Sequence, residues 1–332
     1  VGALTSRAAQ ASGCASNPAF STCFDANSLW LPAGHASFMS LPDTQVSAVR
    51  QVSLGIAIEL LHRPVTLHVA SPDSDGRDVH AIDAALDASF FMGIGVWKNL
   101  ELTLAAPMRL YETGTGAAGV TSQNAPPIER NAVRDPRVGL GYSLDNAIAI
   151  HGLGLRVAVD GSIPLADDSE LAGEGSVVVM PNAALGLQAG PLKLGVSLGA
   201  RLRHAQDFGD VRLGNQGFVA LGLGVDLLDP GLLFLSLEAF GLPSLGSARA
   251  PAASAAVTAE TLVPAEWLAS IHSSFLENGS WTLSLAGGTG IPFSSETRQT
   301  MNGTSTTHFI GLSSPDFRAL LALRFAPPAP SP

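Results

Sequence analysis

The sequence predicts an all-β protein: a transmembrane antiparallel up-and-down β-barrel of about twelve strands, with an N-terminal segment outside the barrel. Three observations carry this reading. Apolar and polar residues alternate over many long stretches, charge is scarce, and short turns alternate with longer polar loops. Only 14% of the 332 residues are charged while 46% are hydrophobic, against about 25% charged in soluble domains. Mean hydropathy is +0.28. Scarce charge with ordinary apolar content suits a surface that lies partly out of water. No continuous apolar run reaches the roughly 18 residues that a membrane helix needs, so any apolar crossing has to be made by alternation.

The alternation is clearest over residues 81–111. Ile82, Ala84, Leu86, Ala88, Phe90, Met92, Ile94 and Val96 form one row. After Trp97-Lys98-Asn99 the pattern restarts with Leu100, Leu102, Leu104, Ala106, Met108 and Leu110. A period of two gives a strand two chemically different faces, and a three-residue connection makes a hairpin. The same period marks a strand over 52–60, extending to 69. It returns at 138–142, 153–159, 177–187, 192–202, 211–225, 233–237, 267–271, 281–285 and 317–325. The total is even, as in bacterial single-chain barrels. A ten-residue strand tilted by ~40° rises roughly 26 Å, the height of an outer-membrane apolar band.

The connections divide in two. Short ones fall at 97–99, 145–146, 189–191, 229–231 and 277–279; long ones at 112–132, 166–173, 205–210, 244–263 and 293–313. That asymmetry matches periplasmic turns opposite extracellular loops. Trp97, Tyr142, Trp267, Trp281 and Phe325 end the apolar rows as an interfacial girdle would. A large soluble β-sandwich is the competing fold. Its loops have no reason to sort by length between two ends.

Residues 1–48 lack barrel-length alternation and form a periplasmic or lumenal segment; residues 49–326 form the barrel. Cys14 and Cys23 are the only cysteines. They make no CxxC motif and have no histidines at zinc spacing, so a local disulfide is the expectation in an exported protein. Phe24, Leu29, Trp30 and Leu31 could cover apolar surface inside or under the barrel, making this segment a partial plug; the alternative is a mobile leader. The chain opens at Val1 without a basic-then-apolar leader, the expectation for a mature or trimmed product.

Motifs of enzymes fail on context. Gly114 to Gly119 matches GxGxxG, but it follows a two-faced strand instead of opening a helix in a βαβ unit. Gly195 to Gly199 matches GxSxG, yet Ser197 sits mid-strand and not at a strand-to-helix elbow. The eight histidines form no HExxH pair. No cofactor or metal site is expected, and a net charge of −10 argues against nucleic acid.

The informative residues lie on the polar rows. Parity sends Glu59, Asp83, Asp87, Glu101, Asp160, Asp226, Glu238, Glu266 and Asp316 inward. Opposing them are Arg109, Arg137, Arg156, Lys193, Arg201, Arg203, Arg212, Arg318 and Arg324. Charges in a dry interior cost several kcal/mol each unless paired, so the lumen is wet, ion-paired or both. In a twelve-strand ring the second strand lies opposite the eighth, which sets Asp83 and Asp87 across from Arg201, Arg203 and Arg212. Two readings stand: a transverse field at a constriction, or salt-bridge packing that fills a closed barrel.

Several spaced segments resemble a known family. They are CFDANSLWLPAGHASFMSL (23–41), ELLHRPVTL (59–67), the hairpin above, RDPRVGLGYSL (134–144), PAEWLAS (264–270) and PDFRALLALRF (315–325). Over about residues 20–326 they look like the N-terminal barrel of myxobacterial OmpA-family proteins. The resemblance implies a non-enzymatic barrel in the outer membrane of a Gram-negative bacterium, in contact with lipid and lipopolysaccharide. It implies a porin-like or structural role, or surface recognition and outer-membrane exchange through the long loops. The ending LLALRF resembles the signal read by barrel-assembly machinery. APPAPSP, with residues 327–332, resembles the start of a Pro-rich linker to a peptidoglycan-binding domain.

Overall fold

The computed structural model describes residues 20–69, 77–116, 128–144, 152–166, 170–228, 232–251, 257–275, 280–300, 303–310 and 312–327. Its strands in chain order are β1 (Val52–Val69), β2 (Arg77–Trp97), β3 (Leu100–Thr113), β4 (Ala132–Val133), β5 (Arg137–Ser143) and β6 (Leu153–Ser162). They continue with β7 (Val178–Ala189), β8 (Leu192–Arg201), β9 (Gln206–Phe208), β10 (Val211–Leu213), β11 (Gln216–Leu228) and β12 (Leu233–Gly241). The last are β13 (Val257–Thr261), β14 (Ala265–Phe275), β15 (Trp281–Gly290), β16 (Ser294–Thr300), β17 (Gly303–Phe309) and β18 (Phe317–Phe325).

The fold is a closed antiparallel barrel. Its twelve wall strands are β1, β2, β3, β5, β6, β7, β8, β11, β12, β14, β15 and β18. β1 closes the ring on β18, from Leu54 opposite Phe325 to His62 opposite Phe317. Closure leaves no wall edge whose N–H and C=O groups would face hydrocarbon. The two-residue period holds through the wall. In β3, Glu101, Thr103, Ala105 and Arg109 are buried, while Leu102, Leu104, Met108 and Leu110 are exposed on the outer face.

The long connections differ from plain loops. Residues 211–213 do not begin the eighth wall strand as their alternation suggests; β10 pairs with β9 in a small hairpin, and the wall resumes at Gln216. Phe208 and Leu213 explain this, because both turn into an apolar cluster that caps the lumen. β13, β16 and β17, within the connections 244–263 and 293–313, build a separate three-stranded sheet. The two-residue β4 extends β3 beyond β5, and Pro107, lacking an N–H, lies where β3 changes partner. Short turns occupy 98–99 and 190–191, with Asn99 and Gly190 in the left-handed region at φ 63° and 59°. The turns at 145–146, 229–231 and 277–279 lie outside the described residues.

Residues 20–51 run through the interior as an irregular strap. Phe20 bridges to Phe208 at the long-loop end, and Val49 bridges to Gly95 at the short-turn end. Along the way Leu29, Leu31, Phe38, Met39 and Leu41 pack against inward Phe91, Met180, Phe218, Phe234 and Phe240. Higher up, Phe24 joins Leu171, Phe208, Leu213, Leu262 and Leu312 in the cap.

The wall assignment predicts a depth-dependent cost on one strand. Leu221 and Leu228 are both about half exposed on β11, but Leu221 lies toward mid-height and Leu228 at the short-turn rim. Leu221→Arg should lower stability in lipid by about 2–4 kcal/mol and Leu228→Arg by about 0–1 kcal/mol. Denaturant titration in vesicles measures both, and equal losses would contradict the depths assigned here.

Candidate functional site

The site is the lumen with the strap inside it. In the half nearer the long loops, charged groups pair locally. Fully buried Arg109 donates from Nε to Asp87 at 2.8 Å and from Nη1 to Glu112 at 3.0 Å. Arg134 reaches Asp87 at 3.1 Å and Asp25 of the strap at 2.7 Å. Arg318 bridges Glu59 at 2.6 Å and Glu266 at 2.8 Å.

Asn27 of the strap joins these pairs. Its Nδ2 donates to Glu59 and Asp87, each at 3.0 Å, and its Oδ1 accepts from Arg318 Nη1 at 3.0 Å. Only a side-chain amide offers two donors and an acceptor in so small a group. The neighbouring Ser28 donates to Glu266 at 3.1 Å, and its carbonyl accepts from Arg201 at 2.9 Å. Burial would make each of these charges costly alone; the network supplies partners.

From mid-height down to the short turns, wall charges bind the strap's backbone. Glu238 accepts the N–H groups of Met39 at 2.9 Å and Ser40 at 2.7 Å. Glu101 accepts Ser47 N–H at 3.2 Å and its hydroxyl at 2.7 Å, with Arg156 at 3.4 Å. Arg324 donates to the carbonyls of Pro32 at 2.9 Å and Gly34 at 3.1 Å. Carboxylates thus satisfy strap donors and guanidiniums satisfy strap acceptors, where no strand ladder is available. Phe38 fits against Gly195 and Gly222, cross-strand partners on β8 and β11; a Cβ built on Gly222 would lie 2.9 Å from the Phe38 ring.

The structure separates the residues expected at a constriction. Asp83 lies outside the network, pairing with Arg63 at 3.3 Å where both side chains are about half exposed. Arg212 is on the β9–β10 hairpin, not on the wall; its hydrogen bonds to Asp207, the shorter at 2.7 Å, raise its pKa. Arg203 pairs with Glu174 at 2.7 Å. Arg201 and Arg137 stand 4.6 and 5.1 Å from the Trp30 ring. Asp160 accepts from Asn182 at 2.8 Å. Asp316 precedes β18 and is exposed. Asp87 therefore meets nearby cations, and the strap occupies the space across which a transverse field would act.

Trp97, Tyr142, Trp281 and Phe325 lie on the outer face at the short-turn end, with the Trp281 and Phe325 rings 5.1 Å apart; Trp267 lies near the other end and donates to Thr289 at 2.8 Å. Cys23 is buried and disulfide-bonded; Cys14 lies outside the described residues.

Asp25, Asn27 and Arg134 are among the residues that alternation misses, because none sits on a wall strand. A second omission is the inner ladder of Ser236, Ser270, His272 and Ser284. His272 Nε2 is 2.7 Å from Ser270 Oγ, and its Nδ1 is 2.8 Å from Ser284 Oγ. Residues 270 and 272 share parity, which is the signal available in sequence. A serine on Nδ1 supplies no charge to stabilise an imidazolium, unlike the acid of a catalytic triad. No group of three or more metal-ligating side chains occurs among the described residues.

The open spaces are divided. A cavity of about 50 Å³ lies beside Trp30, Arg137 and Asp160. Bays of about 270 and 470 Å³ flank strap residues 33–45 at the short-turn end.

No protein-family model and no curated protein sequence matches the chain. Among solved structures, it is similar to an outer membrane channel from Pseudomonas putida F1, with 12% identity over 87% of this chain and 99% of that one and a TM-score of 0.58. That likeness shows the fold: the chain has the fold of outer-membrane β-barrels. Slighter likenesses extend to the NanC porin, 8% identical over 83% of this chain and 99% of that one with a TM-score of 0.45. Escherichia coli outer membrane phospholipase A is 11% identical over 86% and 95%, with a TM-score of 0.38.

Replacing the amide at the network's centre tests the site. Asn27→Leu leaves Glu59, Asp87 and Arg318 each one hydrogen bond short, at about 1–3 kcal/mol per buried group. The strap should become cleavable within residues 20–48 under limited proteolysis while the barrel keeps its folded gel mobility. A strap that stays protected would remove Asn27 from this role.

Proposed function

We propose that the protein is a porin-like outer-membrane barrel of a Gram-negative bacterium whose lumen is closed by residues 20–51, passing small solutes only when that strap is displaced. The observation that carries this is the strap's course through the interior, with its backbone bound by Glu238 and Arg324 of the wall. A purely structural barrel would need no bound chain whose removal leaves a charged, polar passage. The segment resemblance favours an OmpA-type barrel within this class, with peptidoglycan reached by chain following residue 326. Lipid and lipopolysaccharide would surround the apolar band, and barrel-assembly machinery would read the closing strand. The function proposed is non-enzymatic.

A second reading is surface recognition. The separate sheet β13–β16–β17 favours it, because β17 presents an almost wholly exposed face rich in threonine at the long-loop end.

Deleting residues 1–45 should raise single-channel current in planar bilayers from near silence to steady steps. Unchanged silence in a folded barrel would mean that the strap does not close the lumen. The proposed orientation has its own test. An epitope inserted between Thr300 and Gly303 should bind antibody on intact cells, whereas one at 97–99 should not; reversed labelling would invert the barrel.

A further inference from the structure

We infer that the outer edge of β17 is a self-association surface, along which a second copy of this chain adds its own β17 antiparallel. β17 pairs with β16 without a register break, from Phe309 opposite Ser294 to Gly303 opposite Thr300. Among the described residues, no strand lies against its other side. The side chains of Thr304 to His308 are exposed on both faces. An edge of this kind presents a row of backbone N–H and C=O groups on which another chain can build.

The neighbouring small strands are guarded against such pairing. β13, the opposite edge of the same sheet, has a register shift between Ala259 and Thr261, and Ala259 is buried in the cap. β9 and β10 have three residues each, and Phe208 and Val211 bridge outward to Phe20 and Arg249. Shortness, irregular register and cover are the devices that keep edges from pairing. β17 has none of them: it runs for seven residues without a bulge, a proline, a lysine, an arginine or a carboxylate.

The occupant follows from the strand itself. A foreign extended chain is selected by pockets beside the edge that take alternate side chains, and the small, exposed side chains of β17 offer none. Its own copy fits over the full length in one register. A two-fold axis at Thr306 sets Thr306 opposite Thr306, Ser305 opposite Thr307, Thr304 opposite His308 and Gly303 opposite Phe309. Threonine opposite threonine is a favourable cross-strand pair, and no like charges meet. Thr306 is already ordered, its Oγ1 2.8 Å from that of Thr297, which donates to Glu260 at 2.6 Å. The charges of β16 sit one strand back, Arg298 paired with Glu296 at 2.7 Å. The product is a six-stranded sheet with a bulged β13 at each end, so growth stops at two copies.

This inference deepens the recognition reading and rests on its sheet, whatever the strap does in the lumen. The test is sedimentation of the full chain in density-matched detergent micelles over a range of protein concentrations. The unaltered chain should show a monomer–dimer equilibrium. Thr306→Lys and Thr306→Glu each set like charges face to face and should weaken the dimer by about tenfold or more. Both should keep the barrel's folded gel mobility, because residue 306 is exposed. An equal mixture of the two variants should regain the dimer, since lysine then faces glutamate. A monomer at every concentration, a dimer indifferent to both substitutions, or variants that stay apart on mixing would overturn self-pairing through β17. None of these results would touch recognition of a different molecule by the same loops, so the two failures are told apart.

Discussion

Everything inside this barrel follows from one constraint: a chain without strand partners runs through the interior of the wall with nearly all of its residues buried or half-buried. Each of its N–H and C=O groups has to find a partner or carry the cost of desolvation. The wall supplies those partners as full charges. Glu238 takes two successive N–H groups, Arg324 takes two carbonyls, and Arg201 takes the carbonyl of Ser28. Charge on the inner rows is thereby explained without a permanent water column. It also explains how a chain with so few charged residues can spend many of them facing inward.

The two halves of the strap are held by different physics. The half nearer the long loops depends on a charged hub in which Asn27 ties strap to wall, and on an apolar cap where Phe24 and Phe208 meet edge to face at 5.0 Å. The half nearer the short turns has no such hub: Glu101 and Arg324 each hold the strap separately, and the rest depends on fit. Phe38 occupies the space left by two paired glycines, and Gly95 lets the backbone at Ser47 and Ala48 cross within reach of the wall. Loss of the Asn27 amide therefore acts on the first, and added side-chain volume on the second.

The wall was legible because the membrane enforces it. A lipid-facing row has to be apolar at every second residue, so rows such as Leu100 to Leu110 show in the sequence, and all twelve wall strands can be counted from them. The inner rows carry no comparable rule. Parity identifies Asp87, Glu101, Arg109, Arg156 and Arg201 as inward-facing, but pairing depends on what else enters the lumen. Asp87 could be set against Arg201 only on the assumption of an empty interior. Asp25 and Arg134, which with Asn27 complete its surroundings, lie on irregular chain and follow no period. Long loops hid their order for a similar reason: β16 and β17 pair with each other and with β13 through largely polar, two-sided strands, where alternation is weak.

The covalent connection limits how a strap of this kind can move. Its C-terminal end passes directly into β1 beside Gly95, with Arg50 in the left-handed region at φ 65° and its N–H bonded to the Gly95 carbonyl at 2.7 Å. That end cannot leave the short-turn mouth. Complete withdrawal must therefore proceed toward that mouth, pulling Phe24 out of the cap and Asn27 out of the charged hub. Each step exposes buried groups before any new contact forms. A smaller movement, confined to residues 32–45, would break the Arg324 and Glu238 contacts and leave the hub intact. It would join the two bays at the short-turn end without opening the lumen through to the long loops. Access to the lower bays and passage through the whole barrel are thus separable events, with the Asn27 hub as the boundary between them.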